Sequence, residues 1–127
     1  MAILFLPTNA HFVTQVVQAD IESKTIPEMI SEASIKYNVP YNRIYNIIDC
    51  ETAHTFDPEI QSMVRYNFSS VKRGIVKGEQ ERSYGLAQIH LPDHPSISYE
   101  QAINPEFAID FIADNLSKGR YIWYCKS

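Results

Sequence analysis

The pattern of apolar and polar positions predicts that the first helix begins near Thr25. Thr25 and Glu28 have the spacing of a capping box, in which a threonine side chain and a glutamate three residues later satisfy the first free backbone N–H groups. Pro27 suits the first turn, where its missing N–H costs nothing. Apolar residues recur at helical spacing as far as Tyr37, and Pro40 then disfavours helical backbone before it. A helix over about 25–37 is therefore predicted.

A second helix is predicted over roughly Tyr41–Thr52, and it carries an acid at an unusual place. Ile44, Ile47, Ile48 and Glu51 lie at relative positions 0, 3, 4 and 7, which is the spacing of a buried helix face. A carboxyl group on that face loses solvation, which disfavours its charged form and raises its pKa. Alternatively, the helix ends near residue 50 and this acid points into water.

The second half of the chain is predicted to contain a loop followed by two helices. Residues 64–83, with Gly74 and Gly78, indicate a mobile hairpin or loop rather than a helix. Within it, the 70–83 loop is expected to form one wall of a cleft and to be mobile without a ligand. Ser98-x-x-Gln101 is a second capping box, and Asn104-Pro105 is a strong helix start. Gly119 is placed to end that last helix. Its buried residues are predicted to be Phe107, Ala108, Phe111, Ile112 and Leu116.

These elements predict one mainly helical α+β domain over residues 25–127 with a small hairpin or loop insertion, preceded by an N-terminal arm over residues 1–24. A chain of 127 residues is long enough for one domain with its own core. Met1–Ala19 contains no Lys or Arg, unlike a typical secretory signal, and whether the arm is processed or part of a longer chain is left open. No run reaches the roughly 20 apolar residues that a membrane-spanning helix needs.

Charge narrows the classes of partner. The net charge is −4, and the chain has no basic run. Nucleic acid is therefore not expected as the main partner, and neither is strong attraction to anionic membranes. The eight tyrosines suit a sugar-binding cleft, because the ring stacks on a sugar face while its hydroxyl forms hydrogen bonds. Tyrosine is also common in cores, so the number of tyrosines alone decides little.

The two cysteines, Cys50 and Cys125, leave two possibilities open. They are either free core thiols or a disulfide that fastens the last segment beside Glu51. Cys50 also lies four residues before His54, which is a spacing that a thiol protease could use, but no residue that would orient the histidine is evident. His90, Asp93 and His94 are more typical of a solvated turn than of a metal site.

Four short motifs occur in a characteristic order and together suggest a family. They are Cys50-Glu51-Thr52, Phe56-Asp57-Pro58, the run Tyr84–Ile89 and Ala102-Ile103-Asn104-Pro105. In this order and spacing, the chain resembles a soluble lytic transglycosylase domain over about residues 25–125. The resemblance implies the lysozyme-like fold that is related to goose-type lysozyme.

The resemblance also implies a site. Glu51 would be the single catalytic acid/base, and Gln88 would line the sugar cleft within a glycine-leucine-x-glutamine-isoleucine motif that begins at Gly85. Thr52 stands where the family usually has serine, and the later alanine-tyrosine-asparagine motif is absent, so that Tyr121 or Tyr124 would have to supply its hydroxyl. The implied substrate-binding residues are Thr52, Tyr84, Gly85, Gln88 and Tyr124.

The activity implied is cleavage of the β-1,4 bond between N-acetylmuramic acid and N-acetylglucosamine in peptidoglycan, with 1,6-anhydro ends as products. The first alternative is a muramidase that hydrolyses the same bond with water held by a second acid, for which Asp57, Glu79 and Glu81 are candidates. The second alternative, favoured by the missing motif, is a peptidoglycan-binding module with weakened catalysis.

Further features of the family bear on setting and partners. Some small members combine a cysteine before the glutamate with a terminal tryptophan-x-cysteine, as in Trp123-Tyr124-Cys125. This match implies a Cys50–Cys125 disulfide and hence an extracytoplasmic location. The expected partner is the peptidoglycan glycan strand, the expected state is a monomer, and no cofactor or metal is implied.

Overall fold

A computed structural model of the chain describes residues 24–125, so the predicted N-terminal arm lies almost entirely outside the described residues. The described part has four helices and one two-stranded antiparallel sheet, which confirms a mainly helical α+β domain. In chain order the elements are α1 (Ile26–Tyr37), α2 (Tyr41–Glu51), β1 (Ser83–Tyr84), β2 (Ile89–His90), a 3-10 turn (Leu91–Asp93), α3 (Tyr99–Ala102) and α4 (Pro105–Ser117).

The predicted starts of α1, α3 and α4 are confirmed by hydrogen bonds at their caps. The Thr25 hydroxyl oxygen accepts from the backbone N–H of Glu28 at 3.3 Å. The Ser98 and Gln101 pair forms both bonds of a capping box. Asn104 accepts from the backbone of the first turn of α4, where Pro105 follows it. Local sequence thus sets where three of the four helices begin.

Helix α2 ends one residue before its predicted end, whereas α4 ends at a glycine cap, as predicted. Helix α2 ends at Glu51, one residue earlier than predicted, and Thr52 is its C-cap. Beyond α4, Gly119 has a φ of 71°, and its N–H donates to the carbonyl of Leu116 at 3.0 Å. The N–H of the next residue reaches back to Asn115 at 2.9 Å, which completes a Schellman motif.

The core lies where α1 packs against α2 and α4, and α3 also packs against α4. Ile44, Ile47 and Ile48, which form the predicted apolar stripe of α2, are fully buried, as their spacing predicts. Phe107 and Phe111 are only partly buried, which corrects the prediction for α4, because they lie at the margin of the face that enters the core. The buried residues of α4 are Ala108, Ile109, Ile112, Ala113 and Leu116.

The sheet begins at Ser83, the last residue of the segment predicted to be a hairpin or loop. Residues 64–83 turn back on themselves through two isolated antiparallel bridges, Arg65 with Gln80 and Ser70 with Ile75. The two-stranded sheet instead pairs Ser83–Tyr84 with Ile89–His90 around a tight turn at 85–88. Within the described residues, no helix is both long and apolar enough to cross a membrane.

Candidate active site

An open cleft with a volume of about 690 Å³ lies beside the C-terminal end of α2. Its lining comes from the last residue of α2, from residues 60–68, from the loop that leads into β1, from β2 and from residues 122–124. The loop therefore forms part of the cleft wall, as predicted, and its mobility stays a prediction. The volume falls within the range of small-molecule sites in proteins.

Glu51 lies in this cleft with its carboxyl partly buried. Desolvation by burial is the largest influence on Glu51, and it raises the pKa of the carboxyl group. The backbone N–H of Cys125, which lies 3.4 Å from Oε1, lowers this pKa in part. The negative charge of Glu81 raises it again. The net direction is upward, as the apolar stripe predicts. The carboxyl also stands at the C-terminal end of a helix, whose partial negative charge disfavours a second negative charge.

The Cys50–Cys125 disulfide brings the C-terminal segment beside this acid. The prediction of that disulfide is confirmed. Trp123 anchors the same segment, because its ring is buried and its indole N–H donates to the carbonyl of Ala87 at 2.9 Å. Tyr124 lies between these two anchors, lines the cleft and is fully exposed. Its ring is therefore available to a ligand.

Gln88 also lines the cleft, and the nitrogen and the oxygen of its side-chain amide have different roles. The side-chain NH₂ group donates to the carbonyls of Ile60, at 3.2 Å, and Gly85, at 3.0 Å. These bonds hold a residue whose φ is 47°, a conformation that is uncommon outside glycine. No described residue donates to the amide oxygen Oε1, so that atom can accept a hydrogen bond from a ligand.

The structure corrects the implied role of Thr52. Its side chain is fully buried and does not line the cleft, so it cannot contact a substrate there. The hydroxyl donates to the carbonyl of Ile48 at 2.7 Å and accepts from the backbone N–H of Phe56 at 3.0 Å. Thr52 thus fixes the turn that follows Glu51.

Tyr84 and Gly85 also have roles other than those implied. Tyr84 packs edge-on against Tyr99, with ring centres 5.0 Å apart, and strand alternation directs Ser83 into the cleft instead. Gly85 does not line the cleft. It is buried, with a φ of 79°, against the backbone carbonyl of Ala102, so its lack of a side chain serves packing rather than sugar access.

Replacing Gly85 with alanine is expected to destabilise the domain by roughly 2–4 kcal/mol. The new Cβ would collide with the Ala102 carbonyl oxygen, and alanine would also occupy the left-handed conformation. Chemical denaturation measures the loss. Gly78→Ala is the matched control, since its φ is 92° but nothing lies within 4 Å of the added Cβ. An equal loss in both variants would show that backbone conformation, not the close contact, explains Gly85.

Glu81 is a second carboxylate in the cleft that the sequence indicated only as one of three alternatives. The buried Ser83 hydroxyl donates to its Oε1 at 2.7 Å, which fixes the carboxylate. Glu81 and Ser83 are two residues apart, so in extended backbone both side chains point to the same face. This two-residue spacing is the sequence feature from which the pairing of Glu81 with Ser83 could be predicted.

A chain of polar side chains at another part of the cleft was not predicted. Tyr66 Oη lies 2.7 Å from Nε2 of His90, and Nδ1 of His90 lies 2.8 Å from Asp93. The other oxygen of Asp93 forms an ion pair with Arg73 at 2.8 Å. Burial pushes the pKa of Asp93 upward, but these hydrogen bonds and charges outweigh it and hold that pKa below its ordinary value.

His94 does not join this chain, because its ring lies edge-on against Phe111 at 5.4 Å between centres. Among residues 24–125, no three His, Cys, Asp or Glu side chains form a group that could hold a metal ion. His54 contacts Asp49 at 2.9 Å, and the disulfide occupies the thiol of Cys50. The thiol-protease alternative therefore has no nucleophile in this state.

Comparison with known proteins found no relative. No family model, no curated protein and no solved structure matches the chain. The functional argument therefore depends on the residue pattern and on the chemistry of the cleft.

Proposed function

We propose that this protein is a peptidoglycan lytic transglycosylase with a lysozyme-like fold. The observation that carries the proposal is the partly buried carboxyl of Glu51, with its pKa raised, in the wall of an open cleft. A carboxyl group of this kind stays protonated at a higher pH than a solvated one, as a general acid must. The motif order around Glu51 and Gln88 supplies the reaction class.

In the proposed reaction, Glu51 gives its proton to the glycosidic oxygen as positive charge develops on the muramic acid ring. The bond between that oxygen and C1 breaks. The Glu51 carboxylate then takes the proton of the C6 hydroxyl, whose oxygen attacks C1 and closes the 1,6-anhydro ring. Oε1 of Gln88 would accept a hydrogen bond from the sugar, and the Tyr124 ring would cover an apolar sugar face. No cofactor is needed.

Glu81 favours a muramidase as the second candidate. It lines the same cleft as Glu51 and is held in place by Ser83. A fixed carboxylate can take a proton from a water molecule, so that water rather than the C6 hydroxyl attacks C1. Both candidates cleave the same bond, and they differ only in the end that is formed.

Mass spectrometry of digested sacculi tests the proposal. We expect fragments with 1,6-anhydro ends, which are one water lighter than fragments with reducing ends. Glu81→Gln should keep those ends and move the alkaline limb of the pH–rate profile to lower pH, because removing this charge removes one cause of the raised pKa of Glu51. Reducing ends from the parent protein that disappear in Glu81→Gln would instead establish the muramidase.

The disulfide supports an extracytoplasmic site of action for the proposed enzyme. Disulfides persist in oxidising compartments such as the periplasm and the cell exterior, and glycan strands of the bacterial wall are found there. The proposed partner is therefore the glycan strand itself. We propose that the enzyme acts on it as a monomer.

A further inference from the structure

Arg73 is the only Lys or Arg among the described residues that line the cleft. Its Nη2 atom lies 2.8 Å from Asp93, and its guanidinium lies 5.5 Å from the centre of the Phe68 ring. An ion pair fixes one edge of the guanidinium, and the aromatic ring supports its face. The side chain is nonetheless 37% exposed, so part of it remains accessible from the cleft.

A continuous hydrogen-bonded chain anchors the partner of Arg73. The backbone N–H of Arg82 donates to Tyr66 Oη at 3.0 Å, so the Tyr66 hydroxyl proton is available to Nε2 of His90. With Nε2 as acceptor, His90 carries its proton on Nδ1 and donates it to Asp93. Every group in the chain then has a partner. The chain runs from buried Tyr66 to the cleft and fixes the position of Asp93.

The backbone at Arg73 is held as well. The side chain of Arg82 donates to the carbonyls of Gly74, at 3.0 Å, and Arg73, at 3.4 Å. Residues 70–78 contain three basic residues and no acid, although the whole chain has a net charge of −4. The described cleft lining also carries the carboxyl groups of Glu51, Glu81 and Asp93, so Arg73 is the one positive group there that an anionic ligand could meet.

The guanidinium has hydrogen-bonding capacity that the structure does not use. It has five N–H donors, and the ion pair with Asp93 is made by Nη2. The Nε atom is buried and has no acceptor among the described residues, so a ligand in the cleft does not reach it in this conformation. A ligand would use N–H groups on the exposed part of the side chain, which is 37% accessible. The partner that suits an arginine is a bidentate oxyanion.

On the basis of the proposed function, we propose that Arg73 is a substrate-binding residue that takes a carboxylate attached to muramic acid. The sugar rings of the strand are uncharged, so its anionic groups are those on the lactyl ether. They are the lactyl carboxylate itself, where the peptide has been removed, or the carboxylates of the attached peptide. Glu51 in one part of the cleft and Arg73 in another would then set which sugar of the strand faces the acid.

Equilibrium binding of three probes tests this proposal in a Glu51→Gln background, where the probes are not consumed. The probes are peptide-bearing glycan strands, strands stripped of peptide by an amidase, and uncharged chitin oligosaccharides. Adding Arg73→Gln should weaken binding of at least one carboxylate-bearing probe by roughly 10- to 100-fold, which is the range for a hydrogen bond to a charged group. Chitin binding should change less than about 2-fold.

Two matched variants show whether a loss of binding comes from the guanidinium of Arg73 itself. The alternatives are the loss of one positive charge from this region and a disturbed loop. Lys72→Gln removes the same charge from the neighbouring exposed residue, outside the cleft lining, and should leave all three affinities nearly unchanged. Arg73→Lys keeps the charge without the fork and should restore part of the lost affinity. Unchanged chitin binding in Arg73→Gln also shows that the cleft is still folded.

The pattern of loss identifies the source of the carboxylate. A loss confined to peptide-bearing strands assigns the peptide carboxylates, and a loss confined to stripped strands assigns the lactyl group. Equal loss on chitin, or no loss on any probe, would overturn the proposal. Cleavage is measured separately: a parent protein that binds through Arg73 but cuts no strand refutes the proposed catalysis and leaves this inference standing.

Discussion

Glu51→Gln is expected to reduce cleavage of purified sacculi by about 10²- to 10⁴-fold. In the proposed mechanism one carboxyl group gives a proton to the leaving oxygen and later takes one from the C6 hydroxyl. The amide of glutamine has nearly the same shape but can do neither. Release of soluble fragments measures the rate, and the matched control is Glu59→Gln, a surface position outside the cleft lining.

The raised pKa of Glu51 also predicts opposite effects of this variant on activity and stability. Since desolvation raises the pKa in the folded state, the folded protein disfavours the ionised form. The parent protein should therefore lose stability as the pH rises from the ordinary carboxyl pKa through the raised one. Glu51→Gln lacks this loss. Its melting temperature should exceed that of the parent protein above that range, and the two should converge below it.

Two outcomes would count against Glu51. If Glu51→Gln keeps most of the activity, the acid lies elsewhere. If neither protein degrades sacculi and both bind them with similar affinity, the chain is a peptidoglycan-binding module. A lower melting temperature of the variant above neutral pH would contradict burial as the main cause of the raised pKa.

Short-range signals explain how much of the site was predictable. The position of Glu51 followed from helical spacing, and the caps at Thr25, Ser98 and Asn104 follow from residues at most three positions apart. Such signals act within one turn of helix, so the surrounding fold does not alter them. The disulfide joins residues 75 positions apart, and only the resemblance to a family could predict it.

The predicted roles of individual residues are wrong where a motif identifies a residue by its place in the sequence but does not determine the direction of its side chain. The resemblance places Tyr84, just before the glycine motif, on the sugar wall, yet strand alternation turns its ring toward Tyr99. Thr52 follows Glu51 directly, yet its side chain turns inward. The contact between Arg73 and Asp93 joins the 64–83 loop to the 3-10 turn that follows β2, and no local pattern encodes that contact.

Removing the disulfide, as Cys50→Ser with Cys125→Ser, is expected to cost roughly 3–5 kcal/mol of unfolding free energy. The two cysteines are 75 residues apart, so the crosslink excludes many conformations of the unfolded chain. Chemical denaturation of the parent protein and the double variant measures the difference. Titration of the unreduced, denatured parent protein should find no free thiols. Two free thiols, or equal stability of both proteins, would refute the disulfide.

The same variant tests whether the C-terminal segment tunes the acid. Without the crosslink, Trp123 with its bond to Ala87 and the long hydrogen bond from the Cys125 N–H to Glu51 still hold that segment. If it detaches, Glu51 loses the Cys125 N–H, which raises its pKa, and gains solvent, which lowers it. Burial is the larger cause, so the pKa should fall and the alkaline limb of activity should move to lower pH. If the limb stays in place while stability drops, Trp123 suffices to hold the segment, and the disulfide contributes to stability alone.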